Sequence, residues 1–312
     1  MKENDRILDK DSFLQRYRLT EWFPLSELLW EDLESIYYDY CSSIKSIKDC
    51  CDKFENYCRK QFFSDHITFH SISCRCKEPE HLIEKIIRKR SKEQITKYKG
   101  INVKNYKYII QDLIGLRILV IKKEDWEIIF DELVKMFPFE PNSELHMDQK
   151  PVAYIRYGDR NIYKDKITKE YSNKGYRSQH YIVKFNGYFC EIQVRTLAEE
   201  VYGEFDHLVK YPYRNDNSFL IRYTNILSGL VNSIDEIMST CFQMDVSGWE
   251  TNQKYFNKDA YDIWTNTSQN IISESSNNKS KMISEVDTKS PINIKEHASC
   301  ILLRKEKKYN GE

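Results

Sequence analysis

The sequence predicts an α/β domain, a mixed β-sheet covered by helices. Three observations lead there. Helix-like and strand-like segments alternate along most of the chain. The run IIQDLIGLRILVI is apolar and β-branched, too continuous for a surface strand and fit for a central one. The segment GYRSQHYIVKFNGYFCEIQVRT, residues 175–196, alternates by side around Asn186-Gly187, the strongest short-range hairpin signal in the chain.

The elements follow in order. From Leu29 to Cys58, apolar or thiol residues recur every three or four positions: Leu29, Leu33, Ile36, Tyr40, Ile44, Ile47, Cys51, Phe54, Cys58. This predicts one long amphipathic helix, or two joined near Ser42 and Ser43. HITFHSISCR reads as a short strand. KEPEHLIEKIIRKRSKEQ reads as a helix with Pro79 in its first turn and Leu82, Ile83, Ile86 and Ile87 inward. A central strand is expected from Leu113 to Ile121. Next comes a helix with Trp126, Ile129, Phe130, Leu133 and Phe137 inward. Residues 138–174 are turn-rich, with one short strand at VAYIRYG. After the hairpin, LAEEVYGEFDHLVKY is helical, with Leu197, Val201, Phe205 and Leu208 on one side. A further helix runs from Phe219 to Cys241. Beyond Gly248 the chain turns rich in Ser, Asn and Lys and is expected to be flexible. The organisation is therefore an N-terminal helical region (1–60), a main domain with a C-terminal helix (61–244) and a tail (245–312).

The hairpin turn fixes a register. Phe185 opposes Tyr188, Val183 opposes Cys190, Ile182 opposes Glu191 and His180 opposes Gln193. Side chains alternate with period two. One face then carries Tyr181, Val183, Phe185, Tyr188, Cys190, Ile192 and Val194, a core face. The other carries Ser178, His180, Ile182, Lys184, Glu191, Gln193 and Arg195. A solvent face would account for such polarity, but inside a larger sheet the row lines a cleft. Its imidazole, amide, carboxylate and guanidinium suit phosphate and metal chemistry.

A second carboxylate, Asp112, stands at the mouth of the central strand, where an acid is costly unless exposed or partnered. Gly115 permits close backbone approach, and Arg117 adds a cation. If this strand lies beside that of Glu191, the two carboxylates converge and share Mg²⁺, which favours oxygen ligands. Arg75, Lys77 and Lys85, just upstream, would join Arg117 in neutralising a polyphosphate.

Bulk properties exclude other classes. Of the 312 residues, 48 are Lys or Arg and 48 are Asp or Glu, so a globally basic nucleic-acid surface is absent. Nine cysteines without a CxxC pattern give no zinc-site spacing and fit reduced thiols in a cytoplasmic protein. MKENDRILDKDSF has no secretory h-region, and no apolar run approaches the roughly 18 residues of a membrane span.

The motifs RxK at Arg75 and Lys77, Lys85 ten residues after Arg75, DLIGLR, GYRSQH, EIQVRT and DHLVKY occur in one order. In that order the chain resembles the RelA/SpoT-type synthetase domain, especially the small single-domain alarmone synthetases. The likeness spans roughly residues 73–213. It implies a nucleotidyltransferase-like fold and transfer of the β,γ-pyrophosphate of ATP to a ribose 3′-hydroxyl, typically of GDP or GTP. Arg75, Lys77, Lys85 and Arg117 would then contact ATP, and Asp112 and Glu191 would hold Mg²⁺. Glu191 would also accept the hydroxyl proton, and Tyr176 would stack on the acceptor base. Ser178, His180, Gln193, Arg195 and His207 would place the acceptor.

The sequence departs from the family at His81, where serine is common. It has no HD-type metal doublet, and hydrolysis of alarmone is not expected. Two further readings stay open. Some similar small synthetases are toxins that pyrophosphorylate the tRNA 3′ end, some held by an antitoxin protein; here RKRSK, residues 88–92, would grip RNA. The other is a non-catalytic nucleotide- or RNA-binding module. Homo-oligomer formation is also left open.

Overall fold

The computed structural model describes residues 9–65, 67–172, 175–210 and 217–244. The tail after residue 244 and Tyr211 of DHLVKY lie outside the described residues, as does His66 of the first expected strand.

The elements are α1 (Lys10–Arg16), α2 (Trp30–Ser64), β1 (Ser71–Cys76), α3 (Pro79–Ser91), α4 (Tyr106–Ile109), β2 (Ile114–Val120), α5 (Trp126–Met136), β3 (His146–Met147), β4 (Val152–Ile155), β5 (Thr168–Tyr171), β6 (Ser178–Phe185), β7 (Tyr188–Thr196), α6 (Leu197–Lys210) and α7 (Ser218–Met244). The strands form one mixed sheet in the order β1-β2-β7-β6-β4-β5, with β3 also paired to β6. β2 and β7 run parallel, as do β4 and β5; the other pairs are antiparallel. The sequence-based fold class is therefore correct.

The long helix is continuous through Ser42 and Ser43. Leu29 precedes it and is exposed, so the apolar stripe begins at Leu33. One side of the sheet is dry. Phe185 packs against Phe54 and Tyr57 of α2 at ring-centroid distances of 5.0 and 5.5 Å, and Tyr181 meets Phe130 of α5 at 6.4 Å. Each large side chain buried there contributes about 1.5–3 kcal/mol. The hairpin register is as the turn dictates, with Ile182 opposite Glu191 and His180 opposite Gln193. Asn186 and Gly187 both take positive φ, 46° and 82°, as a type I′ turn requires.

α6 differs from expectation in its packing. Val201, Phe205 and Leu208 share a side, but that side faces outward. The inward side holds Glu199 and Tyr202. Thr196 and Glu199 form a capping box: the Thr196 Oγ1 accepts from Glu199 N at 3.1 Å, and Glu199 Oε2 accepts from Thr196 N at 2.9 Å.

Candidate active site

Strand pairing assembles the polar face. Residues in register across a sheet point the same way. Arg75, Gly115, Glu191 and Ile182 make one such row; Ser73, Arg117, Gln193 and His180 make the next. Gly115 leaves a low point between Arg75 and Glu191. A Cβ there would meet nothing nearer than Arg75, at 3.9 Å.

Asp112 lies two residues before β2. The β1–β2 pairing continues through a Lys77 N–H to Leu113 O bond of 2.9 Å, which brings Lys77 alongside it. Lys77 Nζ lies 2.7 Å from Asp112 Oδ2, and Lys85 Nζ, two turns along α3, lies 2.8 Å from Oδ1. Burial would raise the Asp112 pKa, but the two ammonium groups hold it well below the ordinary carboxylate range. Tyr40 of α2 fixes this corner by donating to Lys77 O at 2.7 Å.

Glu191 belongs to a closed ring of hydrogen bonds. His180 Nδ1 lies 3.0 Å from Glu191 Oε1, and His180 Nε2 lies 3.0 Å from the Tyr176 hydroxyl. Arg195 Nη2 donates to the Tyr176 hydroxyl at 2.5 Å and to Gln193 Oε1 at 2.7 Å. Gln193 Nε2 closes the ring on Glu191 Oε2 at 2.6 Å. One proton arrangement satisfies every member: Nδ1–H donates to the carboxylate, and Nε2 accepts from the tyrosine. Burial opposes ionisation of Glu191, yet the hydrogen bond from His180 brings its pKa down to about 2. Asp112 and Glu191 act on each other electrostatically, and Lys77 and Lys85 both respond to Glu191. Two ionised acids from β7 and the mouth of β2 thus share one field.

The remaining site residues divide by their partners. Arg75 is exposed on the polar face and forms no ion pair among the described residues. Burial of its inner part and the like charges of Arg117 and Arg195 press its pKa down. Arg117 is already engaged by Glu200 and Glu204 of α6. Arg195 is buried and used by the protein itself: besides Tyr176 and Gln193 it reaches Ser178 Oγ at 3.0 Å and Glu200 Oε2 at 2.9 Å. Ser178 is buried beneath it. Both are positioning groups. His207 lies in the fields of Glu204, Arg75 and Arg117, and His81 in those of His207 and Lys77. Tyr176 has its hydroxyl turned inward, with the Arg195 guanidinium 5.0 Å from its ring centroid.

Five further residues shape the site without having been singled out in the sequence. Arg177 binds Asp159 through two bonds of 2.7 and 2.8 Å and donates to Ser228 O and Oγ of α7 at 3.1 and 2.9 Å. Gly175, at φ +79°, packs so closely that a Cβ would sit 2.4 Å from Ser228 Oγ. This clamp sets the loop bearing Tyr176. Gly203 lets α6 approach, since a Cβ there would lie 2.7 Å from Arg195 Nη1. The partners are far apart in sequence, so no local pattern pointed to them.

Among the described residues, no three or more His, Cys, Asp or Glu side chains gather as a metal-holding group. The pair Asp112 and Glu191, both ionised oxygen donors, fits Mg²⁺, which ordinarily takes one or two carboxylates and completes its shell with water and phosphate oxygens. Also among the described residues, no helix is long and apolar enough to cross a membrane.

Residues 74–216 match the family model described as a region found in RelA / SpoT proteins. The chain carries a RelA/SpoT domain. The matched residues include all twelve site residues expected from the sequence, Arg75 to His207. Among solved structures, the chain is similar to a GTP pyrophosphokinase family protein from Streptococcus pneumoniae, at 23% identity and a TM-score of 0.48, over 72% of this chain and 96% of that one. It is also similar to small alarmone synthetase 1 of Bacillus subtilis bound to its product pppGpp (17%, 0.47, 66% and 97%). Small alarmone synthetase 2 of the same organism gives 19%, 0.47, 66% and 99%. No curated protein matches.

Proposed function

We propose that this protein is a pyrophosphokinase that moves the β,γ-pyrophosphate of ATP onto the ribose 3′-hydroxyl of GDP or GTP. The 3′ oxygen bonds to the β-phosphorus, the bond from that phosphorus to the bridging oxygen of AMP breaks, and AMP leaves. One observation carries this reading: Asp112, neutralised by two lysines, stands in the same field as an ionised Glu191 on the floor of a polar cleft. The RelA/SpoT domain match supports it.

The roles follow from charge and reach. Arg75 offers an uncommitted guanidinium to phosphate oxygens. Lys77 and Lys85 exchange Asp112 for phosphate when the triphosphate enters, which frees carboxylate oxygens for a cation. Asp112 and Glu191 would hold Mg²⁺, whose charge would offset that of the transferred group and align it. Glu191 accepts the 3′-hydroxyl proton, as a carboxylate ionised throughout the neutral range can. Tyr176, set by the Arg177 clamp, offers its ring to the acceptor base. Most of the rate enhancement would come from alignment and charge neutralisation.

A free nucleotide is favoured over tRNA by the RKRSK segment, whose cations are already engaged. Arg88 pairs with Glu84 and Glu93, Lys89 with Glu93 and Arg90 with Glu27, and Lys92 lies 4.4 Å from the Trp22 ring centroid. The test is incubation with γ-labelled ATP and GDP, GTP or deacylated tRNA. The reading expects label on the guanosine nucleotide with one AMP per transfer. Label on tRNA alone would overturn the acceptor, and absence of AMP with every acceptor would overturn the enzyme.

A further inference from the structure

The polar face of the sheet continues beyond β6. Ser178, Tyr154 and Glu170 stand in register across β6, β4 and β5, and residues in register point the same way. Arg195 adjoins this row through Ser178 Oγ, at 3.0 Å. Tyr154 closes the acceptor corner, its ring centroid 5.9 Å from that of Tyr176 and 5.0 Å from that of His180. Burial, and then the charge of Glu170, push the Tyr154 hydroxyl up to about 12, so it keeps its proton and donates it to the Glu170 carboxylate. Glu170 is exposed and forms no ion pair among the described residues. It lies in none of the motifs that carry the RelA/SpoT likeness.

Glu191 and Glu170 mark the two ends of this corner. β6 and β4 lie between their strands, and Ile182, opposite Glu191, is four residues along β6 from Ser178. Their Cα positions are therefore roughly 20 Å apart. Two glutamate side chains reaching inward, with a hydrogen bond at each end, leave the length of one nucleoside between the carboxylates. The Tyr154 hydroxyl senses both acids and Tyr176, so a base placed on Tyr176 lies between them. A carboxylate at that end is selective. It only accepts, along about four lone-pair directions, and Tyr154 occupies one. Guanine presents two adjacent donors, N1–H and the 2-amino group, which one carboxylate accepts as a pair. Hypoxanthine keeps N1–H and lacks the 2-amino group. Adenine has a bare N1 there, whose lone pair would face the anion. One acid thus attracts guanine and repels adenine, the two arms of specificity.

Resting on the reaction assigned above, we propose that Glu170 is the residue that selects the acceptor base: its carboxylate accepts from N1–H and the 2-amino group of a guanine stacked on Tyr176. Tyr154 positions that carboxylate by donating to it and borders the base beside Tyr176.

The test is initial-rate AMP formation from ATP with GDP, IDP or ADP as acceptor, in wild type, Glu170→Gln and Glu170→Ala, with folding checked by circular dichroism. Wild type should prefer GDP to IDP and IDP to ADP. Either substitution should lower kcat/KM for GDP by about 10–100-fold, mainly through KM, the loss expected for hydrogen bonds to a charged group. IDP offers one donor fewer and should lose less, so the GDP-to-IDP ratio narrows, while the rate with ADP holds or rises. The KM for ATP should stay as in wild type. A residue acting only on the shape of the corner would lower GDP and IDP alike. Such equal losses, an unchanged GDP-to-ADP ratio, or a wild type that uses ADP as well as GDP would overturn the role of Glu170 and leave the pyrophosphokinase standing. Absence of AMP from wild type with every acceptor, or label on tRNA alone, would overturn the assigned reaction and this role together.

Discussion

Replacing Glu191 with Gln changes one atom, and the ring of hydrogen bonds makes the consequence specific. Gln193 Oε1 is committed to Arg195 Nη2 at 2.7 Å, so Gln193 can offer residue 191 only its amide nitrogen. The new side chain must turn its oxygen towards Gln193 and its NH₂ towards His180 Nδ1. Nδ1 then has to accept, which puts a proton on Nε2 facing the Tyr176 hydroxyl, already the acceptor of Arg195. The ring cannot satisfy all its members. The lowered pKa gives a scale. A fall from 4.5 to about 2 favours the carboxylate by roughly 3 kcal/mol, an upper figure for a group that keeps some contact with solvent. Because the folded pKa is depressed, that stabilisation is fully present above pH 4.5 and lost as pH falls towards 2. At pH 7 the variant forgoes all of it, and melting should drop by several degrees. Turnover loses both a proton acceptor and a charge, so AMP release should fall by about 10²–10⁴. The assay is initial-rate AMP formation from ATP at saturating acceptor, with thermal denaturation in parallel. A variant that keeps more than about a tenth of wild-type turnover would refute the reasoning, since general-base losses are far larger.

Three other perturbations probe separate parts of the site. Gly203→Ala gains up to about 1 kcal/mol of helix propensity but drives a methyl into Arg195 Nη1; melting should barely change while kcat falls 10-fold or more, as checked by steady-state kinetics. Tyr176→Ala should raise the acceptor KM by about tenfold and leave the ATP KM nearly unchanged, because base stacking contributes roughly 1–3 kcal/mol. Asp235, raised to about 7 by burial and the nearby Glu199, binds its proton more tightly folded than unfolded. Stability should therefore decline as pH rises from 3.8 to about 7, and Asp235→Asn should melt higher than wild type at pH 8, by on the order of 2 kcal/mol.

Much of the site was legible because the sheet translates sequence into geometry with little freedom. Asn186-Gly187 sets the turn, the turn sets the register, and period two puts Glu191, Gln193 and Arg195 on one side with His180. The continuous apolar run marked β2, and the polar residue at its mouth had to find partners, which proved to be Lys77 and Lys85. What stayed hidden depends on contacts between distant segments. β3 and β5, of two and four residues, carry too little pattern to announce themselves. The Arg177 clamp joins residues 159, 177 and 228, and nothing local ties Ser228 to Gly175. Arg195 has the composition of a phosphate ligand, but its burial and four protein partners make it the frame that orients Tyr176 and Gln193. The apolar positions of α6 and α7 give the right helices, yet periodicity alone does not say which side faces the core, and in both the apolar side faces out.

In the proposed reaction, Asp112 and Glu191 would jointly hold one divalent cation against the nucleotide. Electron paramagnetic resonance of Mn²⁺ with a non-hydrolysable ATP analogue tests it without reference to turnover. One tightly held Mn²⁺ per chain is expected, weakened at least about tenfold by Asp112→Asn and by Glu191→Gln alike. Equal Mn²⁺ affinity in wild type and in either folded variant would contradict it.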